Sequence, residues 1–182
     1  MKLMFASDIH GSETCCRRMA EIYREEQADR LILLGDLLYH GARNELPEGY
    51  RPKGVAEILN GMKEELLCVR GNCDSEVDQM VLEFPVMADY ALLAEGKHTL
   101  FLTHGHHWNT EALPPLKAGD ILVNGHTHIP AAERREGILY LNPGSVTMPK
   151  GGFPRSYMIW DHGMFAIKDM DGKIIIECRP ED

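Results

Sequence analysis

Polar residues stand directly after short apolar segments throughout this chain, and this arrangement constrains the fold more than any other feature. The segments are 3–7, 31–34, 66–69, 100–103 and 121–123. The residues that follow them are Asp8, His10, Asp36, Asn72, His104, His126 and His128. Short, continuously apolar segments are typical of strands buried on both faces. Because ligands of open α/β sheets bind beyond the carboxyl ends of the strands, we expect these side chains to meet in one crevice.

Two helices are predicted between the first three strands. Ser12 is the predicted N-cap of the first helix, and Cys16, Met19 and Tyr23 lie on its apolar stripe. The second helix is predicted near residues 55–62. Alternation of strand and helix normally produces parallel strands joined by right-handed crossovers.

Strands dominate from about Val86 onward. Further strands are predicted at 138–141, 157–160 and 173–176, and Asp171-Gly172 is a hairpin signal. We therefore predict an α/β fold of two packed mixed β-sheets flanked by helices, with residues 1–182 forming a single domain.

The charge and the cysteines indicate the setting of the protein. Acidic residues outnumber basic ones by 28 to 19, a net charge of -9, which disfavours binding to long nucleic acids. The five cysteines are odd in number and include no CxxC pair, which favours a reducing cytoplasm. No segment approaches the apolar length of a membrane span, so no membrane association is expected. A homo-oligomer is one of the expected assemblies.

The polar set offers carboxylate, imidazole and amide ligands without any required thiolate. Such oxygen and nitrogen donors suit Mn, Fe, Zn or Ni better than a tetrahedral structural zinc site. Seven side chains are too many for one ion with an open position. Two ions sharing a bridging carboxylate account for the number better.

Five short blocks carry a resemblance to a known family. The blocks are Asp8-Ile9-His10, Gly35-Asp36, Gly71-Asn72, Thr103-His104-Gly105 and Gly125-His126-Thr127-His128. Their order resembles the metal-binding blocks of the calcineurin-like metallophosphoesterase superfamily. The flanking segments 70–74 and 142–145 are similar to those of the small bacterial YfcE-type phosphodiesterases. This resemblance implies a four-layer sandwich fold and a hydrolase that acts on phosphate esters.

The resemblance also implies a ligand set and a mechanism. Asp8, His10 and His128 would bind one divalent metal ion, and Asn72, His104 and His126 would bind a second. Asp36 would bridge the two ions, for which manganese is the first expectation and zinc, iron or nickel are alternatives. A water held between the ions would attack the phosphorus of a small phosphodiester.

One position departs from the family pattern. Many members carry histidine directly after the Asn of the Gly-Asn block, where it can protonate the leaving oxygen, whereas this chain has Cys73. A thiol is a weak donor, so we expect a preference for substrates with good leaving groups. His106 is the candidate substitute acid, together with its neighbour His107.

Three residues are predicted to line the substrate entrance: Asn44, Gly144 and Ser145. The alternatives are an ordinary solvated loop around Asn44 and a simple turn at 142–145.

Two other functions compete with the phosphodiesterase. One is a non-catalytic metal-binding scaffold of the same fold, like the subunit of the retromer complex whose site is incomplete. The other is a nucleotide phosphomonoesterase, because the same metal core serves both reactions. A metallo-β-lactamase-type site is disfavoured, since segment 104–109 lacks the required Asp.

Overall fold

The computed structural model describes residues 1–180, which form eleven strands and three α-helices. The strands are β1 (Leu3–Ala6), β2 (Arg30–Leu33), β3 (Leu66–Cys68), β4 (Tyr90–Glu95), β5 (His98–Thr103), β6 (Ile121–Val123), β7 (Ala131–Arg135), β8 (Ile138–Asn142), β9 (Ser156–Asp161), β10 (Met164–Asp169) and β11 (Ile174–Cys178). The helices are α1 (Glu13–Glu25), α2 (Pro52–Asn60) and α3 (Glu76–Val81), with a short 3-10 helix at Lys63–Glu65.

The strands form two mixed sheets, which confirms the predicted fold class. The first has the order β11-β10-β9-β1-β2-β3, and the second has the order β4-β5-β6-β8-β7. Strands β1, β2 and β3 are parallel to one another, as the strand and helix alternation predicts. In the second sheet β5, β6 and β8 are parallel, while the edge strands β4 and β7 run antiparallel.

The sheets pack face to face over an apolar core. Phe5 and Ile32 of the first sheet contribute to it together with Leu102 and Val123 of the second. The ring centroids of Trp160 and Phe165 lie 4.2 Å apart in the same core. Burial of these side chains holds the carboxyl ends of the parallel strands of both sheets at a common edge.

Helices α1 and α2 cover the outer face of the first sheet, with Met19 and Leu59 among the buried residues of the contact. The hydroxyl of Ser12 accepts a hydrogen bond from the backbone N–H of Cys15 at 3.3 Å, so the predicted N-cap is confirmed. Helix α2 begins earlier than predicted because Pro52 stands at its start, where a missing N–H is tolerated. Among residues 1–180, no helix combines the length and the apolar character that crossing a bilayer requires.

The outer face of the second sheet is covered by an irregular segment, residues 105–120, instead of a helix. Leu113 and Leu116 of this segment pack against Phe101, Leu122 and Tyr140. The fourth layer of the expected sandwich is therefore a loop that follows β5 directly.

Candidate metal centre

The residues predicted to bind metal meet at the common edge of the two sheets. Asp8, His10 and His128 form one group there, in which the Nε2 atoms of His128 and His10 lie 3.2 Å and 3.5 Å from Oδ1 of Asp8. All three side chains are almost completely buried. Together they present one carboxylate oxygen and two ring nitrogens to a common point, a set that could hold one cation.

A second group adjoins the first. Nε2 of His104 lies 3.5 Å from Oδ2 of Asp36, 3.0 Å from Oδ1 of Asn72 and 3.1 Å from Nδ1 of His126. The same Oδ2 of Asp36 lies 3.6 Å from Nε2 of His10, which belongs to the first group. Asp36 therefore stands between the two groups, where a bridging carboxylate is expected.

Backbone carbonyls fix the orientation of three of the imidazoles. In each ring Nδ1 lies within hydrogen-bonding distance of a carbonyl oxygen, so Nδ1 carries the proton and the Nε2 lone pair faces the cluster. The pairs are His10 with Tyr39 O at 2.9 Å, His104 with Leu34 O at 2.6 Å and His128 with Met148 O at 2.6 Å.

Several acceptor atoms of the cluster face one another without a donor between them. The Nε2 atoms of His10 and His128 are 3.3 Å apart, and both present lone pairs in the tautomers just described. Oδ1 of Asp8 is buried and has no hydrogen-bond partner within residues 1–180. Burying an unpaired charge is costly, and a divalent cation at this point would remove that cost. The donor set therefore fits the metal ions that the sequence predicts.

The two carboxylates shift the pKa values of the histidines around them, and the histidines in turn shift the pKa values of the carboxylates. Burial lowers the pKa of His104, but the hydrogen bond to Asp36 and the charges of Asp8 and Asp36 outweigh it and raise the pKa to about 9. Burial raises the pKa of Asp8, but the interactions with His10 and His128 outweigh it and hold that pKa well below its usual value. A field that favours a proton on imidazole also favours a cation, which competes for the same lone pair.

The backbone at the strand ends adopts an uncommon conformation. Eight non-glycine residues of the described chain have positive φ, and five of them are predicted ligands. These are Asp8 (60°), His10 (49°), Asp36 (57°), His126 (67°) and His128 (61°). Such a conformation costs about 1 kcal/mol or more for each L-residue, and clustered outliers of this kind mark functional sites.

Glycine is required where the loops cross. A Cβ on Gly71 would overlap the carboxylate of Asp36, and a Cβ on Gly35 would overlap the backbone of Gly71. The Gly-Asp and Gly-Asn blocks therefore pack backbone against backbone. This close approach brings Asn72 to the second group.

The buried carboxylate of Asp74 was not predicted to have a role. It accepts hydrogen bonds from the backbone N–H groups of Asp36 (2.8 Å), Leu37 (2.8 Å) and Gly71 (2.7 Å). Burial raises the pKa of Asp74, and the N–H groups of Leu37, Gly71 and Asp36 only partly offset this. Asp74 thus ties together the loops that carry Asp36 and Asn72. The signal was an acidic residue two positions after a predicted ligand.

Cys73 lies in the cleft beside the second group and is half-buried. Its backbone N–H donates to Oδ1 of Asp36 at 2.8 Å, and its Sγ accepts a hydrogen bond from Nδ2 of Asn72 at 3.3 Å. Burial and the negative charge of Asp36 raise the pKa of Cys73, so the group is a neutral thiol at neutral pH.

His106 lies beside the second group on the segment after β5. Its ring centroid is 5.4 Å from that of His104 and 6.3 Å from that of His126. Burial and the neighbouring side chains of His104, His107 and His126 lower the pKa of His106 to about 4, so the ring is neutral at pH 7. In that state it accepts a proton more readily than it donates one.

The three predicted substrate-lining residues differ in position. Asn44 lines the cleft, and its Nδ2 donates to His40 O at 2.8 Å. The prediction for Ser145 is wrong, because this side chain is fully buried and its Oγ donates to the backbone oxygen of Asp8 at 3.0 Å. Gly144 is also buried, and a Cβ there would meet Ser156 rather than the cleft. The turn at 142–145 supports the Asp8 loop from behind.

Comparison with known proteins agrees with this geometry. The calcineurin-like phosphoesterase superfamily domain matches residues 1–163. The chain belongs to this superfamily. It is 51% identical over 176 residues to phosphodiesterase YfcE of Escherichia coli strain K12, a match that covers 97% of this chain and 96% of the relative. A solved structure of the E. coli phosphoesterase YfcE superposes with a TM-score of 0.97 at 49% identity and covers all of both chains.

More distant relatives share the fold. The probable metallophosphoesterase YsnB of Bacillus subtilis is 28% identical over 87% of this chain and 83% of its own. The structure of vacuolar protein sorting 29 from Cryptosporidium parvum superposes with a TM-score of 0.62 at 20% identity and covers 98% of this chain and 97% of that one. At this identity the second likeness concerns the architecture only.

Proposed function

We propose that the protein is a metal-dependent phosphodiesterase that hydrolyses a small phosphodiester at a dinuclear divalent metal site. The observation that carries the proposal is the pair of acceptor groups that share Asp36, with Oδ2 of this residue 3.6 Å from His10 and 3.5 Å from His104. The 51% identity to an E. coli phosphodiesterase supports the choice of reaction.

We assign the ligands as follows. Asp8, His10 and His128 would hold one ion, Asn72, His104 and His126 the other, and Asp36 both. When bound, two divalent ions supply an activated water and neutralise the negative charge that develops on the phosphate. The neutral amide oxygen of Asn72 leaves more positive charge available to the substrate than a carboxylate would. Manganese is our first choice of metal, because the donors are oxygen and imidazole nitrogen.

The surrounding residues hold this arrangement and limit the chemistry. The carbonyl oxygens of Tyr39 and Met148 keep two imidazoles in the ligating tautomer. The thiol of Cys73 occupies the position from which a leaving oxygen would be protonated in relatives that carry histidine. Because a thiol is a weak hydrogen-bond donor, departure depends mainly on the acidity of the leaving alcohol.

The test begins with protein stripped of metal by a chelator. Mn, Ni, Zn or Mg is added back separately, and hydrolysis of bis(p-nitrophenyl) phosphate is compared with hydrolysis of p-nitrophenyl phosphate. We expect diester hydrolysis to return with metal, most strongly with Mn. The matched variant Asp36→Asn keeps the shape of the side chain but removes its charge, so activity should be lost.

Two outcomes would contradict the proposal. A faster reaction on the monoester would indicate a phosphomonoesterase. Two bound ions per chain without activity on either ester would favour the non-catalytic scaffold.

We also propose a cytoplasmic location and a small substrate. Five free cysteines, three of them buried, suit a reducing compartment. The net charge of -9 disfavours binding of a long polyanion. An anionic substrate is therefore attracted by the positive charge within the cleft and not by the protein as a whole. Assembly into a homo-oligomer stays a prediction.

A further inference from the structure

Three cationic side chains line the cleft, and one of them, Arg70, donates a hydrogen bond from Nε to the backbone oxygen of Asp74 at 3.3 Å. The other two lack such a contact within residues 1–180. Arg43 and Lys150 border the same cavity, whose volume is about 910 Å³. Within residues 1–180 neither side chain makes an ion pair or a hydrogen bond. Several other exposed cations are paired, such as Arg51 with Glu13 at 2.7 Å. In a chain with a net charge of -9, two unpaired cations that face one cleft are an unusual concentration of positive charge.

The loops that carry these cations are fastened to the first ligand group. The backbone oxygen of Tyr39, four residues before Arg43, lies 2.9 Å from Nδ1 of His10. The backbone N–H of Lys150 donates to the backbone oxygen of His128 at 3.0 Å. Because the Nε2 atoms of His10 and His128 are only 3.3 Å apart, the two loops flank the same half of the candidate metal centre.

The Arg43 loop is also held in shape from within. The backbone N–H of Asn44 donates to the backbone oxygen of Gly41 at 3.1 Å. The side-chain Nδ2 of Asn44 donates to the backbone oxygen of His40 at 2.8 Å. These bonds close a turn around Arg43 that does not depend on the side chain of Arg43. The guanidinium is therefore free to bind a ligand while its loop stays in place.

A charge count shows what the pair could recognise. Two divalent ions would carry four positive charges, of which the carboxylates of Asp8 and Asp36 cancel two. The phosphorus group of a diester brings one negative charge, so the proposed metals already suffice for it. Arg43 and Lys150 add positive charge that a simple diester does not use. A guanidinium and an ammonium group are the usual protein partners of a phosphate.

We propose that Arg43 and Lys150 form a subsite for a second phosphate, and that the substrate is a small phosphodiester that carries a further phosphate on one of its alcohol groups. This inference rests on the proposed phosphodiesterase function. The cavity has room for such a molecule, because ligand sites of about 300 to 1,000 Å³ enclose molecules of this size.

A matched pair of substrates tests the subsite. Thymidine 5'-(p-nitrophenyl phosphate) is assayed with and without a 3'-phosphate, on the manganese-loaded protein. We expect the 3'-phosphate to lower KM about tenfold with little change in kcat, since two partly exposed ion pairs have effects of this size. The advantage should shrink at high salt. It should disappear in the double variant Arg43→Ala/Lys150→Ala, which keeps its rate on the substrate without the 3'-phosphate.

Controls separate this inference from the proposed function. Arg24→Ala, on the exposed face of α1, removes a cation outside the cleft and should keep the full advantage. Equal KM values for the two substrates on the wild-type protein would overturn the subsite, and so would an advantage that survives in the double variant.

A binding measurement decides the matter if neither ester is cleaved. The absence of cleavage would count against the phosphodiesterase function, and the subsite would then be tested by calorimetric measurement of ligand binding. Thymidine 3',5'-bisphosphate should then bind the metal-loaded wild-type protein about tenfold more tightly than thymidine 5'-phosphate, but not the double variant. Equal affinities would overturn the inference.

Discussion

At the scale of single residues, Asp74 shows how a side chain outside the ligand set can determine the site. Its carboxylate holds the backbone N–H groups of Asp36, Leu37 and Gly71 at 2.7 to 2.8 Å. Two loops from different strand ends thereby share one buried acceptor. Partners of this kind orient metal ligands and are usually worth a factor of about 10 to 100 in metal affinity.

We therefore expect Asp74→Asn to weaken metal binding by about 10- to 100-fold. The amide would turn an N–H donor toward a backbone donor, so at least one of the three hydrogen bonds is lost. Metal affinity is measured by calorimetric titration of the stripped protein with Mn. The control is Asp171→Asn, an exposed position at the turn before β11 that should retain wild-type affinity. Unchanged affinity in Asp74→Asn would show that the loops hold themselves in place.

The thiol of Cys73 determines how strongly the rate depends on the leaving group of the substrate. We expect the wild-type protein to cleave aryl phosphodiesters much faster than alkyl phosphodiesters, because a protonated thiol assists an alkoxide poorly. Cys73→His should raise the alkyl rate by about 100-fold, the lower end of the range for general acid catalysis. The measurement compares kcat/KM for methyl p-nitrophenyl phosphate and dimethyl phosphate. Cys73→Ser supplies a hydroxyl of similar size as the control. Equal aryl and alkyl rates in the wild-type protein would contradict the idea.

The sequence was informative about the ligands for a physical reason. Asp8, Asp36 and His104 follow apolar strands directly, and strand ends converge in any parallel sheet. The sequence places Asp74 two positions after a predicted ligand but does not show its role, because its three partners are backbone groups of loops whose approach depends on tertiary packing. The residues of segment 142–145 predict a turn, but they do not determine the direction in which the side chain of Ser145 points.

At the scale of elements, Glu26 joins the end of α1 to the first sheet. Its carboxylate accepts hydrogen bonds from Lys2 (2.8 Å), Lys168 (2.7 Å) and the hydroxyl of Tyr157 (2.8 Å). Burial raises the pKa of Glu26, but these three bonds outweigh it and lower the pKa to about 2. One side chain thus connects a helix to the segment before β1 and to β9 and β10.

We expect Glu26→Gln to lower the free energy of unfolding by about 1 to 2 kcal/mol at pH 7, allowing for screening by water. The folded pKa lies below the ordinary value of 4.5, so the stabilisation is present above pH 4.5 and is lost as the pH falls toward 2. Urea unfolding at pH 7 and pH 3 measures the change.

The control for this prediction is Glu25→Gln, which removes an exposed charge paired with Arg18 alone. It should change stability by less than about 0.5 kcal/mol at either pH. A Glu26→Gln effect that is the same at pH 3 as at pH 7 would rule out the charge as its cause.

The elements that the sequence did not predict are those with little burial or an interrupted apolar pattern. Helix α3 has no buried residue and depends on a capping box between Ser75 and Asp78. Strand β4 lies at a sheet edge and has no fully buried side chain. The sequence does not predict strand β10, although it predicts the Asp171-Gly172 turn that follows this strand. Its buried residues are Phe165 and Ile167, but the apolar residues Met164 and Ala166 stand beside them and hide the alternation in the sequence.

At the scale of the whole molecule, the candidate metal centre connects the two sheets. Asp8, Asp36 and Asn72 follow strands of the first sheet, whereas His104 and His126 follow strands of the second. Each proposed ion would therefore have ligands from both sheets. Metal binding adds its free energy to folding in such a case, because the unfolded chain lacks the site.

Removal of both metal ions should lower Tm by about 10 to 20 °C. Each ion at 100 times its Kd contributes about 2.7 kcal/mol, and each kcal/mol changes Tm by about 2 to 4 °C in a chain of this length. Calorimetry with and without chelator measures the shift, and Asp36→Asn should show a much smaller one. An unchanged Tm, with metal analysis showing that both ions had left, would mean that the apolar core alone sets stability.

The irregular cover of the second sheet has a consequence for how such a protein can diverge. Residues 105–120 begin directly after the ligand His104, carry His106 into the vicinity of the site, and rest on the sheet through Leu113 and Leu116. Insertions in a surface loop disturb the strands beneath little. Descendants of an ancestral gene could therefore acquire new substrates by remodelling this segment while they inherit the metal-binding edge unchanged.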